Sequence, residues 1–329
     1  MIVGKSVPTD RGGAMAMQVR SPAAVLWMWM WIWTLTALLC VMAGPAKADV
    51  ELPTKFGNTG GVANTRHNMT QRQVSGGPAG ALMDPYRNDY GEVCVYCHTP
   101  HGANANIALP LWNRTIRATT YTTYAALGTM MTQPVTQPGA NSLACLSCHD
   151  GQTAVDSVIN MPGSGGYDPA QATAQNNGFL NAWNNSRGPD ATVHLGLNPT
   201  ASAGCLACHS SGAGVVGAGA SDFSAAVIGT DLRNDHPVGV RYPTAGPGVD
   251  YKPTTAVRAG VRWFDTNSNG NPDTREVRLY DTGDGFEVEC ASCHDPHGVP
   301  SGGPGSVFNP SFLRVTNTGS ALCLVCHTK

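Results

Sequence analysis

Five times in 329 residues the chain repeats Cys-x-x-Cys-His. The copies are Cys94-Val-Tyr-Cys97-His98, Cys145-Leu-Ser-Cys148-His149, Cys205-Leu-Ala-Cys208-His209, Cys290-Ala-Ser-Cys293-His294 and Cys323-Leu-Val-Cys326-His327. One Cys-x-x-Cys could be half a disulfide framework or a redox pair, and several could bind zinc. Neither reading explains why His follows the second Cys in all five copies. Covalent haem does. Two thiols at this spacing bond to the two vinyl-derived positions on one porphyrin edge, and the next His is held under the iron as its proximal ligand. The expected haem-binding cysteines are therefore Cys94, Cys97, Cys145, Cys148, Cys205, Cys208, Cys290, Cys293, Cys323 and Cys326. The proximal ligands are His98, His149, His209, His294 and His327.

Haem also answers a compositional problem. Leu, Ile, Val and Phe make up roughly 18% of residues 49–329, below the ~20% at which a side-chain core becomes doubtful. Five porphyrins supply flat apolar surface whose burial stabilises in proportion to its area. The apoprotein is accordingly expected to be unfolded. No other cysteine remains in this region, so disulfides are not expected.

Residues 1–48 read as a secretory signal peptide: basic Lys5, Arg11 and Arg20, an apolar run from Ala23 to Ala43, and Ala46-Lys47-Ala48 before the cut. An uncleaved anchor is the alternative, since the run carries Trp27, Trp29, Trp31 and Trp33. Cys40 follows Leu39, not the small residue of a lipoprotein signal. The remaining region, 49–329, is a pentahaem region with a net charge of about −5 and no second apolar run. A basic footprint for nucleic acid is missing, and no membrane span is expected after cleavage. The expected location is the periplasm or outside the cell.

The ten His include five outside the motifs: His67, His101, His194, His236 and His297. One per haem, they are candidates for the sixth iron ligand. The rival ligands are Met69, Met83, Met130, Met131 and Met161, of which Met130 and Met131 are adjacent and ill placed to serve two haems. Bis-His irons have lower potentials than Met/His irons and offer no open position for substrate. His101 and His297 each lie three residues after a proximal His. Three residues span at most ~10 Å, too little to round a porphyrin, so each is expected to serve a different haem from its own motif's.

The motifs begin 51, 60, 85 and 33 residues apart, so no fixed period exists. Cys94–Gly102 and Cys290–Gly298 nevertheless share C-x-x-C-H-x-P-H-G, pointing to duplicated haem-pair units near 91–151 and 286–329. Gly, Pro, Ala and Asn mark loops at 134–142, 160–190, 211–222 and 243–254. Short helices are expected at Ser142–His149 and Ser320–His327. Alternation at Val261–Phe264 and Glu276–Tyr280 predicts two strands. Between them Asp265, Asn267, Asn269, Asn271, Asp273 and Glu276 fit the spacing of a calcium loop. Against this, strands replace the usual helices and Pro272 stands at an aliphatic position, so an ion-free Asn/Gly hairpin loop is the alternative. The expected fold is mostly irregular and haem-packed, with few short helices and one small β-hairpin.

Cys290–Gly298, Asn309-Pro-Ser-Phe-Leu-Arg314 and Leu322–His327 resemble the multihaem c-type cytochromes with doubled C-x-x-C-H motifs, exported electron-transfer proteins of metal-reducing bacteria that include filament-forming members. Asn234–Gly239 is similar to a distal-ligand segment of that group. The resemblance implies closely spaced bis-His haems carrying electrons in anaerobic or extracellular respiration, without bond chemistry. Partners would be redox proteins or extracellular and mineral acceptors. Two alternatives stand beside it. One is a nitrite- or hydroxylamine-type multihaem reductase with one open haem, although no C-x-x-C-K occurs. The other is the subunit of a cytochrome filament, a homopolymer.

Overall fold

The computed structural model describes residues 56–70, 90, 92–128, 133–160, 195–197, 204–211, 222–243 and 250–328, all within one compact unit, Asp49–Lys329. The expected signal peptide, Cys40, His194, Met83, Met130, Met131 and Met161 lie outside the described residues. No described helix is long and apolar enough to cross a membrane.

Every Cys-x-x-Cys-His lies on a helical turn. Helix α1 spans Ala140–His149, while α2 (Cys290–Cys293) and α3 (Cys323–Cys326) are single turns. Val93–Tyr96 and Gly204–Ala207 are 3-10 turns. His98, His209, His294 and His327 each donate their backbone N–H to the carbonyl of the motif's first Cys, at 2.8, 2.9, 3.1 and 2.9 Å. Side chains three and four apart share one helix face. The turn therefore presents both thiols and the imidazole together, the local reason for this spacing.

A second segment clamps each motif as it leaves the turn. His98 bridges to Trp112, His294 to Leu313 and His327 to Tyr251 in antiparallel fashion. His149 accepts from Ile228 N–H, and His209 from Phe223 N–H. The two echoing units share more than their motif. Asn113 N–H donates to Cys97 and Thr99 N–H to Leu111, as Arg314 does to Cys293 and Asp295 to Phe312. Leu111 and Phe312 both take positive φ, 50° and 61°. Unequal loops before this return segment hide the longer repeat from a sequence comparison.

The sheet is antiparallel and five-stranded, ordered β1-β5-β4-β3-β2. Its strands are β1 (Val240–Arg241), β2 (Ala256–Arg258), β3 (Val261–Trp263), β4 (Arg278–Asp281) and β5 (Phe286–Val288). The expected hairpin is β3–β4, with Val261 opposite Tyr280 and Trp263 opposite Arg278. The expectation of a single hairpin needs correction, because three more strands extend it. Those have two or three residues each, too few to carry a periodic signal. Trp263 of β3 and Leu279 of β4 are buried on opposite faces of the sheet, since Trp263 pairs with Arg278 and Leu279 with Arg262. Among the described residues, small apolar clusters also form from Tyr90, Tyr96 and Val158 and from Tyr121, Leu146 and Leu232.

Glu289 joins α1 to α2. Its carboxylate closes a capping box with Ser292 at the start of α2 and also accepts from Gly139 N–H, the N-cap of α1, at 3.1 Å. Cys290 N–H in turn donates to Ser142 Oγ of α1 at 2.8 Å. Burial raises the Glu289 pKa to about 7 against the pull of these donors. Unfolded, the group titrates near ~4.3. Between those values the native state holds the extra proton, so this group's contribution to stability falls as pH rises from about 4 to 7. Glu289→Gln keeps an acceptor but does not titrate. Its melting temperature should lack that decline in thermal melts across the window.

Candidate functional site

A metal-bound imidazole works best when its other ring nitrogen is tied to a carbonyl or carboxylate, which fixes tautomer and aim. Nine of the ten His are described, and six carry such a tether at Nδ1. The partners are Pro110 O for His98 (2.9 Å), Ala226 O for His149 (2.6 Å) and Ser311 O for His294 (2.7 Å). Among the non-motif His they are Pro296 O for His67 (3.0 Å), Pro237 O for His236 (3.2 Å) and Asp295 Oδ1 for His297 (3.0 Å). Each tether leaves Nε2 to face a metal.

Two pairs of rings then face each other. His67 and His149 have ring centres 6.2 Å apart with planes at 84°. His98 and His297 also lie 6.2 Å apart, with planes at 12°. Two imidazoles across one metal should be about 6 Å apart, taking about 2 Å for each metal–nitrogen bond and about 1 Å from nitrogen to ring centre. Both separations match that span. A further fit lies beside His98, where buried Trp112 packs edge-on at 5.9 Å. Its Nε1 has no acceptor among the described residues, a cost of ~1–3 kcal/mol that a haem propionate could offset.

Burial, with His149 adding to it, pushes the His67 pKa down to about 4; burial likewise lowers His149 and His294. Such rings stay neutral, the form that ligates metal. His297 goes the other way, raised by its hydrogen bond to Asp295. Burial by itself would raise Asp295, but the His297 bond and the Arg314 guanidinium hold it at about 2. Arg314, itself buried, donates to Asp295 Oδ2 at 3.1 Å, Ala291 O at 3.0 Å and Thr274 O at 2.9 Å.

Gly298 sets the path out of this segment. Its φ is +90°, and a Cβ there would meet the Phe308 ring at 2.2 Å. Gly298→Ala should therefore cost more than the ~1–2 kcal/mol of left-handed backbone alone. Its melting temperature, compared with that of the parent, checks this.

The remaining candidates are placed as follows. His236 is exposed, with a pKa lowered first by desolvation and then by His327. His101 is exposed, and its carbonyl accepts from Thr99 and Asn160. The His209 ring stacks on Phe223 at 3.9 Å, and the His327 ring tilts against Tyr251 at 4.8 Å. Cys145 and Cys290 are joined by a hydrogen bond between their thiols. Burial lifts the Cys97, Cys205 and Cys293 thiols to about 12.

Sequence reasoning missed the buried supports Arg114, Glu289 and Arg314. Arg114 donates to Ser147 Oγ and to the carbonyls of Ser147, Ala154 and Val155.

In the 265–276 loop the oxygen groups bond to the loop itself. Asp265 accepts from Asn269 and Gly270 N–H, and Asp273 Oδ2 accepts from the Asn267 and Asn269 amides at 2.7 and 2.8 Å. Buried Glu276 accepts from Thr266 and Asp273 N–H. Asn271 Oδ1 accepts from Arg258 at 3.2 Å. Among the described residues, no three His, Cys, Asp or Glu side chains form a metal-holding group.

No curated protein matches the chain. Residues 285–329 match the family model described as the doubled CXXCH motif, the stretch that holds Cys290–His294 and Cys323–His327. This motif implies covalently bound haem c and, being doubled, marks the chain as similar to the multihaem c-type cytochromes.

Proposed function

We propose that the protein is an exported pentahaem cytochrome c that passes electrons along bis-His irons in anaerobic or extracellular respiration. The two facing His pairs at 6.2 Å are the observation that carries this reading. Haem supplies the one-electron chemistry. The chain's residues attach it, hold the axial rings neutral and aimed, and enclose it. An iron with two protein ligands has no position for nitrite or hydroxylamine, which favours a carrier over a reductase. The test is spectroscopy of the purified protein. Five covalent haems per chain, all low-spin when ferric, are expected, with no change on adding nitrite. A nitrite-sensitive high-spin iron would overturn the carrier reading.

Calcium binding at 265–276 rests on the ligand spacing, and the ion would have to displace the amide donors on Asp273 and Glu276. Calorimetric titration tests it, and absence of binding heat would end it.

A further inference from the structure

The stretch His294-Asp295-Pro296-His297 meets partners from two other motifs. His294 is the proximal residue of the fourth motif. His297, three residues on, faces His98 of the first motif at 6.2 Å with nearly parallel planes. Pro296, between them, gives its carbonyl to His67 Nδ1 at 3.0 Å, and His67 faces His149 of the second motif at 6.2 Å.

Other contacts hold these groups together. The Phe312 ring stacks on His67 at 4.4 Å, and Ser311 next to it accepts from His294 Nδ1. Helix α1 carries the second motif and packs against α2, which carries the fourth, through Ser142 and Cys290. Asp295 is fixed by Arg314 and aims His297.

We propose that His294–His297 is a junction joining three haem irons. His297 is the second axial ligand of the iron held by Cys94, Cys97 and His98. His67, oriented by the Pro296 carbonyl, is the second axial ligand of the iron held by Cys145, Cys148 and His149. His294 binds the iron of its own motif. The inference rests on the haem reading above and adds which residue completes which iron. Its consequence is a branch: haems one, two and four are tied through four residues, so an electron arriving on one has two near neighbours.

The test uses the haem-loaded protein in the ferric state. His297→Ala and His67→Ala should each convert one low-spin iron to high spin without changing the number of covalent haems. The electron paramagnetic resonance spectrum separates the two. Near-parallel axial rings give a rhombic low-spin signal, which His297→Ala should remove. Near-perpendicular rings give a strongly anisotropic one, which His67→Ala should remove. His297→Met should stay low-spin and gain the weak red absorption band of a Met-ligated ferric haem, which covers the case in which the Ala variant does not fold. In a Cys94→Ala/Cys97→Ala background, which lacks the first haem, His297→Ala should create no new high-spin iron.

If the parent carries no covalent haem, the cytochrome reading itself fails. If haem is present but His297→Ala and His297→Met leave every iron's ligands as they were, the junction fails and the cytochrome reading stands. The junction is equally overturned if His297→Ala still creates a high-spin iron when the first haem is absent.

Discussion

Made without haem, for instance with all ten motif cysteines changed to Ser, residues 49–329 should give the circular dichroism of an unfolded chain and no cooperative thermal transition. Ordering a residue costs ~1–2 kcal/mol in backbone entropy alone, and the returns from side chains are thin here. Among the described residues twenty hydrophobic side chains are buried, and the aliphatic fraction of 49–329 is roughly 18%, below the ~20% typical of a sufficient core. Fully burying a large apolar side chain contributes ~1.5–3 kcal/mol, so these side chains return less than the entropy of ordering this many residues. Each porphyrin would add a far larger apolar face. A cooperatively folded apoprotein with native amide-exchange protection would show that the side chains suffice.

The second large effect is expected at Arg314. Its guanidinium is 4% exposed and serves Asp295 and two backbone carbonyls. Arg314→Ala would leave the Asp295 carboxylate with His297 as its remaining partner and take a donor from the Ala291 and Thr274 carbonyls, and removing one partner of a buried pair costs ~3–5 kcal/mol. The pH dependence has a definite sign. Although burial works against it, Asp295 is held at about 2 by His297 and Arg314, below the ~3.9 of an unfolded Asp. Its contribution is therefore complete above about pH 4 and is lost as pH falls toward 2. The gap between parent and Arg314→Ala should be widest above pH 4 and shrink on acidification. Denaturant unfolding at pH 7 and pH 3 measures it. Asp295→Asn together with Arg314→Met should recover part of the loss, since it removes both charges.

Local patterns made much of the candidate site legible. Cys-x-x-Cys-His is read within one helical turn, where thiols and imidazole share a face, so all five candidate attachment points follow from spacing. The strands expected at 261–264 and 276–280 from their alternation overlap β3 (Val261–Trp263) and β4 (Arg278–Asp281), which pair in the sheet. The shared C-x-x-C-H-x-P-H-G marked two related units, although the repeat runs on to the return segments ending at Asn113 and Arg314. β1, β2 and β5 stayed hidden because strands of two or three residues have no measurable period. Glu289 and Arg314 look like ordinary surface charges until their burial among α1, α2 and the return segment is seen.

Spacing by itself determined the cofactor class, covalent haem c, and it named the ten cysteines and five imidazoles expected to hold it; composition added the expectation of an apolar interior supplied by something other than side chains. These depend on chemistry within five residues or on totals over the chain. Tertiary structure decided which imidazole faces which. His67 meets His149 and His98 meets His297 across long stretches of chain, brought there by left-handed residues at Leu111 and Phe312, by the Pro296 carbonyl and by the buried Asp295–Arg314 pair. Sequence spacing could say only that His297 does not reach back to its own iron, because three residues are too short. Choosing its partner required the whole path of the backbone, to which no local pattern is sensitive.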